Sequence, residues 1–287
     1  MLRVNVEKNA EKFLARCGEF LHKFEAEHTL LLSMSEEAVK NPKDDIKFYI
    51  LSYNDEFVMA AAQVPGHNLI LSRAAQDGVE TLAEVLASEN ISFPGVVGPA
   101  DVAAAFTNSW AAATGHRFGN YMDQIIYALK KVTSPPATEG TFRMAASADE
   151  KIVATGIVAF CEDGNLPKSE RLTPAEGAAR AKKRIAANRI AIWEVKGKPV
   201  AQAGVSGTDT VSRISLVYTP PEQRGKGYAS AVVAALSQKQ LDEGKKMCCL
   251  YADARNPVSN SIYRKIGFEF VGRSSLYVLN PEEPASE

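Results

Sequence analysis

Arg224-Gly225-Lys226-Gly227-Tyr228-Ala229 is the segment of this chain whose residue types point most directly to chemistry. It follows an apolar, strand-like run, Ile214-Ser215-Leu216-Val217-Tyr218, and precedes a helix-like run over residues 230–241. A glycine-rich turn between a strand and a helix leaves backbone N–H groups at the positive end of the helix, which is a site for phosphate. Ser230 stands where a dinucleotide fingerprint needs its third glycine, and the Walker phosphate-loop pattern is absent, so the common nucleotide sites are excluded. Further along, Asn256-Pro257-Val258-Ser259-Asn260-Ser261-Ile262-Tyr263 is followed by Arg264-Lys265-Ile266-Gly267-Phe268. At helical spacing Asn256, Ser259 and Tyr263 share one face, which brings an amide, a hydroxyl and a phenol into line.

Together the two segments resemble the acyl-CoA site of the GNAT superfamily of N-acetyltransferases. Arg224, Gly227 and Ala229 meet its Arg/Gln-x-x-Gly-x-Gly/Ala pattern. Asn256, Ser259, Ile262, Tyr263, Lys265, Gly267 and Phe268 meet its Asn-to-Phe pattern. The resemblance implies acetyl-CoA as cosubstrate, while the absence of CxxC, His-x-His and Glu-x-x-His spacings leads to the expectation of no metal. It implies that the loop amides of Gly225, Lys226, Gly227, Tyr228, Ala229 and Ser230 hold the pyrophosphate, behind Arg224. The strand before the loop is then expected to bulge and to splay from the parallel strand at residues 247–252. The pantetheine arm would enter that wedge beside Val217, Tyr218 and Thr219, and an amide of Val217 or Tyr218 would stabilise the oxyanion.

By the same resemblance Tyr263 protonates the leaving thiolate, for which a phenol with an ordinary pKa of about 10 is suited. A core tyrosine packed under the helix is the alternative. Asn256 either caps the helix or holds the amide arm of the cosubstrate. A general base is harder to place, because His22, His28, His67 and His116 all lie in the first half of the chain. Glu194, beside Trp193 on a central strand, is the carboxylate chosen for the role; an exposed strand residue paired with a lysine is its alternative.

Positioning these groups requires a mixed α/β domain with a mostly antiparallel sheet and one splayed parallel pair. Residues 149–160 and 173–188 read as helices, the second opened by Thr173-Pro174. Residues 190–195 and 199–205 read as a hairpin around Lys196-Gly197-Lys198, and residues 212–219 as a third strand ended by Pro220-Pro221. Arg180, Lys182, Lys183 and Arg184 form a solvated face or meet an anionic partner. The first half echoes this order: a hairpin around Asn54-Asp55-Glu56, a strand at 69–71, a helix at 78–88, a strand at 95–98 and a helix at 99–114. This reads as a tandem duplication. Its first copy is degenerate, having Ser72-Arg73-Ala74-Ala75-Gln76-Asp77 where the second has its glycines. The expected boundaries are a GNAT-like domain over 1–134, a linker at 135–140 and a catalytic domain over 141–287.

A formal net charge of −1 argues against nucleic-acid binding. No apolar run approaches the ~18–20 residues that cross a bilayer, and the start lacks a secretory signal, so the expectation is a cytoplasmic protein without membrane association. Cys17, Cys161, Cys248 and Cys249 form no CxxC pair and read as buried thiols. The expected reaction is direct acetyl transfer to an amine on a small molecule or peptide, with a homodimer admitted as the assembly. The rival is an acyl-CoA sensor or interaction module without turnover; transfer of a longer acyl chain, or to a hydroxyl, is a third reading.

Overall fold

The succession strand, two helices, three strands, helix, strand, helix, strand occurs twice along the chain in the computed structural model. The structure describes residues 2–42, 45–74, 76–133, 137–164 and 166–279. The first pass comprises β1 (Leu2–Glu7), α1 (Ala10–Lys23), α2 (Glu25–Lys40), β2 (Lys47–Tyr53), β3 (Glu56–Gln63), β4 (Leu69–Leu71), α3 (Gln76–Ser88), β5 (Gly95–Pro99), α4 (Ala100–Thr114) and β6 (Phe118–Leu129). The second comprises β7 (Thr141–Met144), α5 (Glu150–Asp163), α6 (Pro174–Ala186), β8 (Ile190–Val195), β9 (Lys198–Gly207), β10 (Val211–Tyr218), α7 (Tyr228–Asp242), β11 (Met247–Asp253), α8 (Pro257–Ile266) and β12 (Glu269–Leu279). The mixed α/β class and the duplicated order read from the sequence are thus present. The reading lacked β1, α1 and α2. Yet α1 buries Ala10, Phe13, Cys17 and Leu21 at helical spacing behind an Asn9 side-chain cap.

Two compact units result: residues up to Ile126 together with those from Val271 onward, and Tyr127–Phe270. This differs from the expected boundaries. The strand residues 274–278 of β12 pair antiparallel with β5, from Ser274 opposite Pro99 to Val278 opposite Gly95, and so belong to the first unit. Residues 134–136, which hold the two prolines of the expected linker, lie outside the described residues.

In the first unit β1 pairs with β2, β2 with β3 and β3 with β4, all antiparallel, while β4 and β5 run parallel. Phe13 stacks on Phe48 with centroids 4.5 Å apart, which seats α1 on the sheet. In the second unit β7, β8, β9 and β10 are antiparallel neighbours and β10 runs parallel to β11. Lys196 and Gly197 have φ of +49° and +73°, as a two-residue turn matched to the strand twist requires. β9 is buried without interruption from Val200 to Val205, so both faces of the sheet are covered. α5 and α6 supply Val153, Ile157 and Ala181 to a core with Ile190, Ile192 and Leu216.

Candidate active site

β10 is irregular where chemistry was expected. Ser215 lies opposite Gly204, but Tyr218 lies opposite Gln202, so three steps on β10 match two on β9. The extra residue is a β-bulge, and Leu216 sits in it with φ of +51°. Pairing of β10 with β11 covers only Val211–Arg213 against Met247–Cys249. Beyond Arg213 the two parallel strands are no longer joined, which leaves the backbone of Val217 and Tyr218 without a ladder partner on the β11 side. Bulge and splay are both as the resemblance implied.

A cavity of about 610 Å3 opens at this point. Val217, Tyr218 and Thr219 line it from the strand end, and Arg224, Gly225 and Gly227 from the loop. Tyr228, Ala229 and Ser230 line it from the first turn of α7, and Asn256 and Tyr263 from α8. Gly225 and Gly227 have φ of +79° and +82°, a conformation that costs an L-residue about 1–2 kcal/mol. Gly227 caps α7 without a side chain, and no acidic residue stands in its first turn. α1, α6 and α8, by contrast, each have a side-chain cap. The first amides of α7 are therefore open to an anion, and the two left-handed glycines shape a concave loop in front of them.

Arg224 does not project freely: its Nε donates to the Thr219 carbonyl at 3.0 Å and its Nη2 pairs with Asp163. This ties the loop to the strand end and to the C-terminus of α5. Lys226 folds back, with Nζ 3.0 Å from Gln223 Oε1, and is not among the lining residues. Asn256 caps α8, its Oδ1 accepting from the Ser259 amide at 3.0 Å. Of the two roles considered for it, the cap is formed, and its residue also lines the cavity.

Tyr263 is half-buried, lines the cavity, and is braced by Tyr127 and Phe268 with centroids 6.4 and 6.1 Å away. Burial pushes its phenol up to about 12, so it carries its proton throughout the neutral range. Glu194 is elsewhere. Its Oε2 accepts from Arg143 Nε at 2.7 Å, and Arg143 also holds both oxygens of Asp149, at 2.6 and 2.9 Å. It does not line the cavity, so the role of base chosen for it has no geometric support. A second cavity, of about 260 Å3, shares Tyr218 as a wall, and Glu222 is the one carboxylate lining it among the described residues. Glu222 was not singled out from the sequence; its place between two prolines and the glycine loop gave no sign of it.

Cys248 and Cys249 are fully buried in β11, and burial pushes the Cys248 thiol up to about 12. Neither lines the cavity. Among the described residues, no group of three or more His, Cys, Asp or Glu side chains could hold a metal ion, and no helix is long and apolar enough to cross a membrane.

The family model described as FR47-like protein matches residues 195–278. Among solved structures, a Drosophila protein aligns with a TM-score of 0.66 at 14% identity, over 96% of this chain and 98% of its own. A GCN5-related N-acetyltransferase from Sphaerobacter thermophilus aligns with a TM-score of 0.60 at 15% identity, over 96% of this chain and 94% of its own. A tandem GNAT protein from the clavulanic acid biosynthesis pathway aligns with a TM-score of 0.57 at 11% identity, over 99% of this chain and all, 100%, of its own. This chain has the GNAT fold, in tandem. Among curated proteins no sequence match was found.

The two GNAT-like units differ at the turn that follows the last antiparallel strand. In the first unit the Arg73 amide donates to His28 Nε2 at 3.0 Å, while His28 Nδ1 donates to the Leu21 carbonyl at 3.1 Å. The Arg73 guanidinium lies 4.3 Å from the Phe24 ring centroid and 3.0 Å from Glu27 Oε1. The His28 side chain of α2 thus engages the backbone of the turn after β4, and Glu27 and Phe24 engage the Arg73 side chain. Burial lowers the His28 pKa to about 4, so it sits there neutral.

Proposed function

We propose that the protein is an acetyl-CoA-dependent N-acetyltransferase whose chemistry resides in the second unit. One observation carries the reading: a single cavity joins the open N-terminus of α7, the unpaired end of β10 and the Tyr263 phenol. An elongated thioester with an anionic head and an amide-bearing arm fits that sequence of groups. The α7 amides hold the pyrophosphate, and the free backbone of Val217 and Tyr218 bonds to the arm. An amide of Val217 or Tyr218 then faces the thioester carbonyl, where negative charge develops.

In the reaction the nitrogen of a neutral amine forms a bond to the thioester carbonyl carbon, and the carbon–sulfur bond breaks. The sulfur takes a proton from Tyr263, and the nitrogen gives one up, so the products are an amide and a thiol. Burial penalises the charged forms of phenol and thiol alike, so the order of their proton affinities is kept. Glu222, at the cavity on the other side of Tyr218, is the carboxylate placed to receive the amine's proton through water. No covalent acyl-enzyme is required.

The test is thiol release from acetyl-CoA with a panel of amines, comparing wild type with Tyr263→Phe. The expected result is turnover by the wild type and a fall in kcat of about 100-fold or more in the variant, at unchanged acetyl-CoA affinity. Binding of acetyl-CoA without turnover for any amine would identify a sensor instead.

A further inference from the structure

The bulge in β10 does more than free backbone amides. In a regular ladder Val217 would lie opposite Gln202; the extra residue brings Tyr218 there instead. Gln202 in turn lies opposite Ile192 on β8. Ile192, Gln202 and Tyr218 therefore form one row across β8, β9 and β10 with their side chains on the same face. All three line the cavity of about 260 Å3.

The chemistry of this cavity is narrow. Its walls are mostly apolar: Ile152, Ile192, Val200, Pro220 and Pro221. Gln202 is 6% exposed, and its Nε2 has no hydrogen-bond partner among the described residues. The carboxamide lies against Gly156 of α5, where a Cβ would come within 2.5 Å of Gln202 Oε1. Among the described residues no Lys, Arg or His lines the cavity, and the one charge there is the exposed carboxylate of Glu222. An unpaired buried amide donor is costly unless a ligand oxygen meets it. A carboxylate there would find no cation and would face Glu222, whereas a neutral carbonyl oxygen carries no such penalty. The volume is below the ~300–1,000 Å3 usual for ligand pockets, which restricts the occupant to a small molecule.

We infer that the acyl acceptor is a small primary amine with an apolar body and one uncharged carbonyl oxygen, and that Gln202 holds this oxygen. The inference rests on the acetyltransferase reading above. Gln202 then orients the amine toward Tyr218 and the thioester beyond it. Glu222 draws the amine as a cation to the mouth and excludes acidic competitors. Gly156 is required because any side chain there displaces the carboxamide.

The test uses the full chain and three amines that share one branched body: leucinamide, leucine and 3-methylbutylamine. The wild type is expected to prefer leucinamide over each of the others by about tenfold in kcat/KM, the worth of one well-placed hydrogen bond. Gln202→Leu should erase the preference over 3-methylbutylamine, and Gly156→Ala should reduce it. Acetyl-CoA affinity, measured by calorimetry on the same preparations, should stay as in the wild type, which also reports that each variant is folded. Absence of acetyl-CoA binding by the wild type would overturn the functional reading itself. Acetyl-CoA binding and turnover with leucine or 3-methylbutylamine preferred, or with the preference intact in Gln202→Leu, would overturn this inference alone.

Discussion

At the scale of single residues the proposed reaction separates groups it uses from groups held for structure. Tyr263 belongs to the first kind, because its phenol is braced by aromatic rings at a cavity wall and kept protonated by burial to about 12. Turnover should therefore show no alkaline decline up to pH 10, measured as the pH profile of kcat with a saturating amine. A decline centred near pH 8 would assign the acid role to another group. Glu194 belongs to the second kind. Its pair with Arg143 is partly exposed, with side-chain exposures of 23% and 34%, so it stabilises by only about 0.5–1 kcal/mol. Glu194→Gln should lower the urea midpoint slightly and leave kcat unaltered; a tenfold loss of kcat would restore it as the base. Cys248→Ser and Cys249→Ser should each retain turnover, because buried thiols outside the cavity take no part in direct transfer.

At the scale of elements, the glycine loop and the start of α7 act as one device. Two left-handed residues, Gly225 and Gly227, turn the chain so that the uncapped amides of α7 meet the cavity. Gly227→Ala should raise the KM for acetyl-CoA while leaving the KM for the amine in place, and should cost about 1–2 kcal/mol of stability. Gly227→Asn should be milder in both respects, because asparagine tolerates the left-handed region. Equal effects on the two substrates would mean that the loop shapes the whole cavity and does not bind the anion. The bulge in β10 is the partner device. One extra residue frees amides on the β11 side and re-aims Tyr218 toward Gln202 on the β9 side.

At the scale of the whole molecule, the two units differ after their last antiparallel strand: the start of α7 carries no side-chain cap in the second, and the Arg73 amide is engaged in the first. His28 is the group that engages it, and burial keeps it neutral with a pKa lowered from 6.5 to about 4. The unfolded chain therefore binds more protons than the folded one between these values. Stability is retained above pH 6.5 and falls as pH drops toward 4, by an amount on the order of 3 kcal/mol. His28→Gln should remove that slope from a series of urea unfolding curves; an unchanged slope would mean that other groups cause it. Residues 274–278 complete the sheet of the first unit, and the Leu279 amide bonds the Pro94 carbonyl at 2.9 Å. A chain ending at Phe270 should accordingly lose hydrogen-exchange protection in β5, although every residue removed lies at the far end of the sequence.

Much of this protein was legible in its sequence because much of it is local. The Asn256 cap spans three residues, the Lys196-Gly197 turn two, and the glycine loop directly adjoins the strand and helix it connects. The α1 helix is equally local, with its Asn9 cap and Phe13, Cys17 and Leu21 at helical spacing. Tertiary structure alone decided that Glu194 is paired with Arg143, 51 residues away, and what engages the first unit's turn, since Arg73 meets His28 across 45. It also decided which unit receives β12 and that Gln202 faces a cavity. Local geometry writes itself into neighbouring residues as caps, glycines and periodicity. A pairing across tens of residues leaves no such spacing, and exists only once the sheet has brought its partners together.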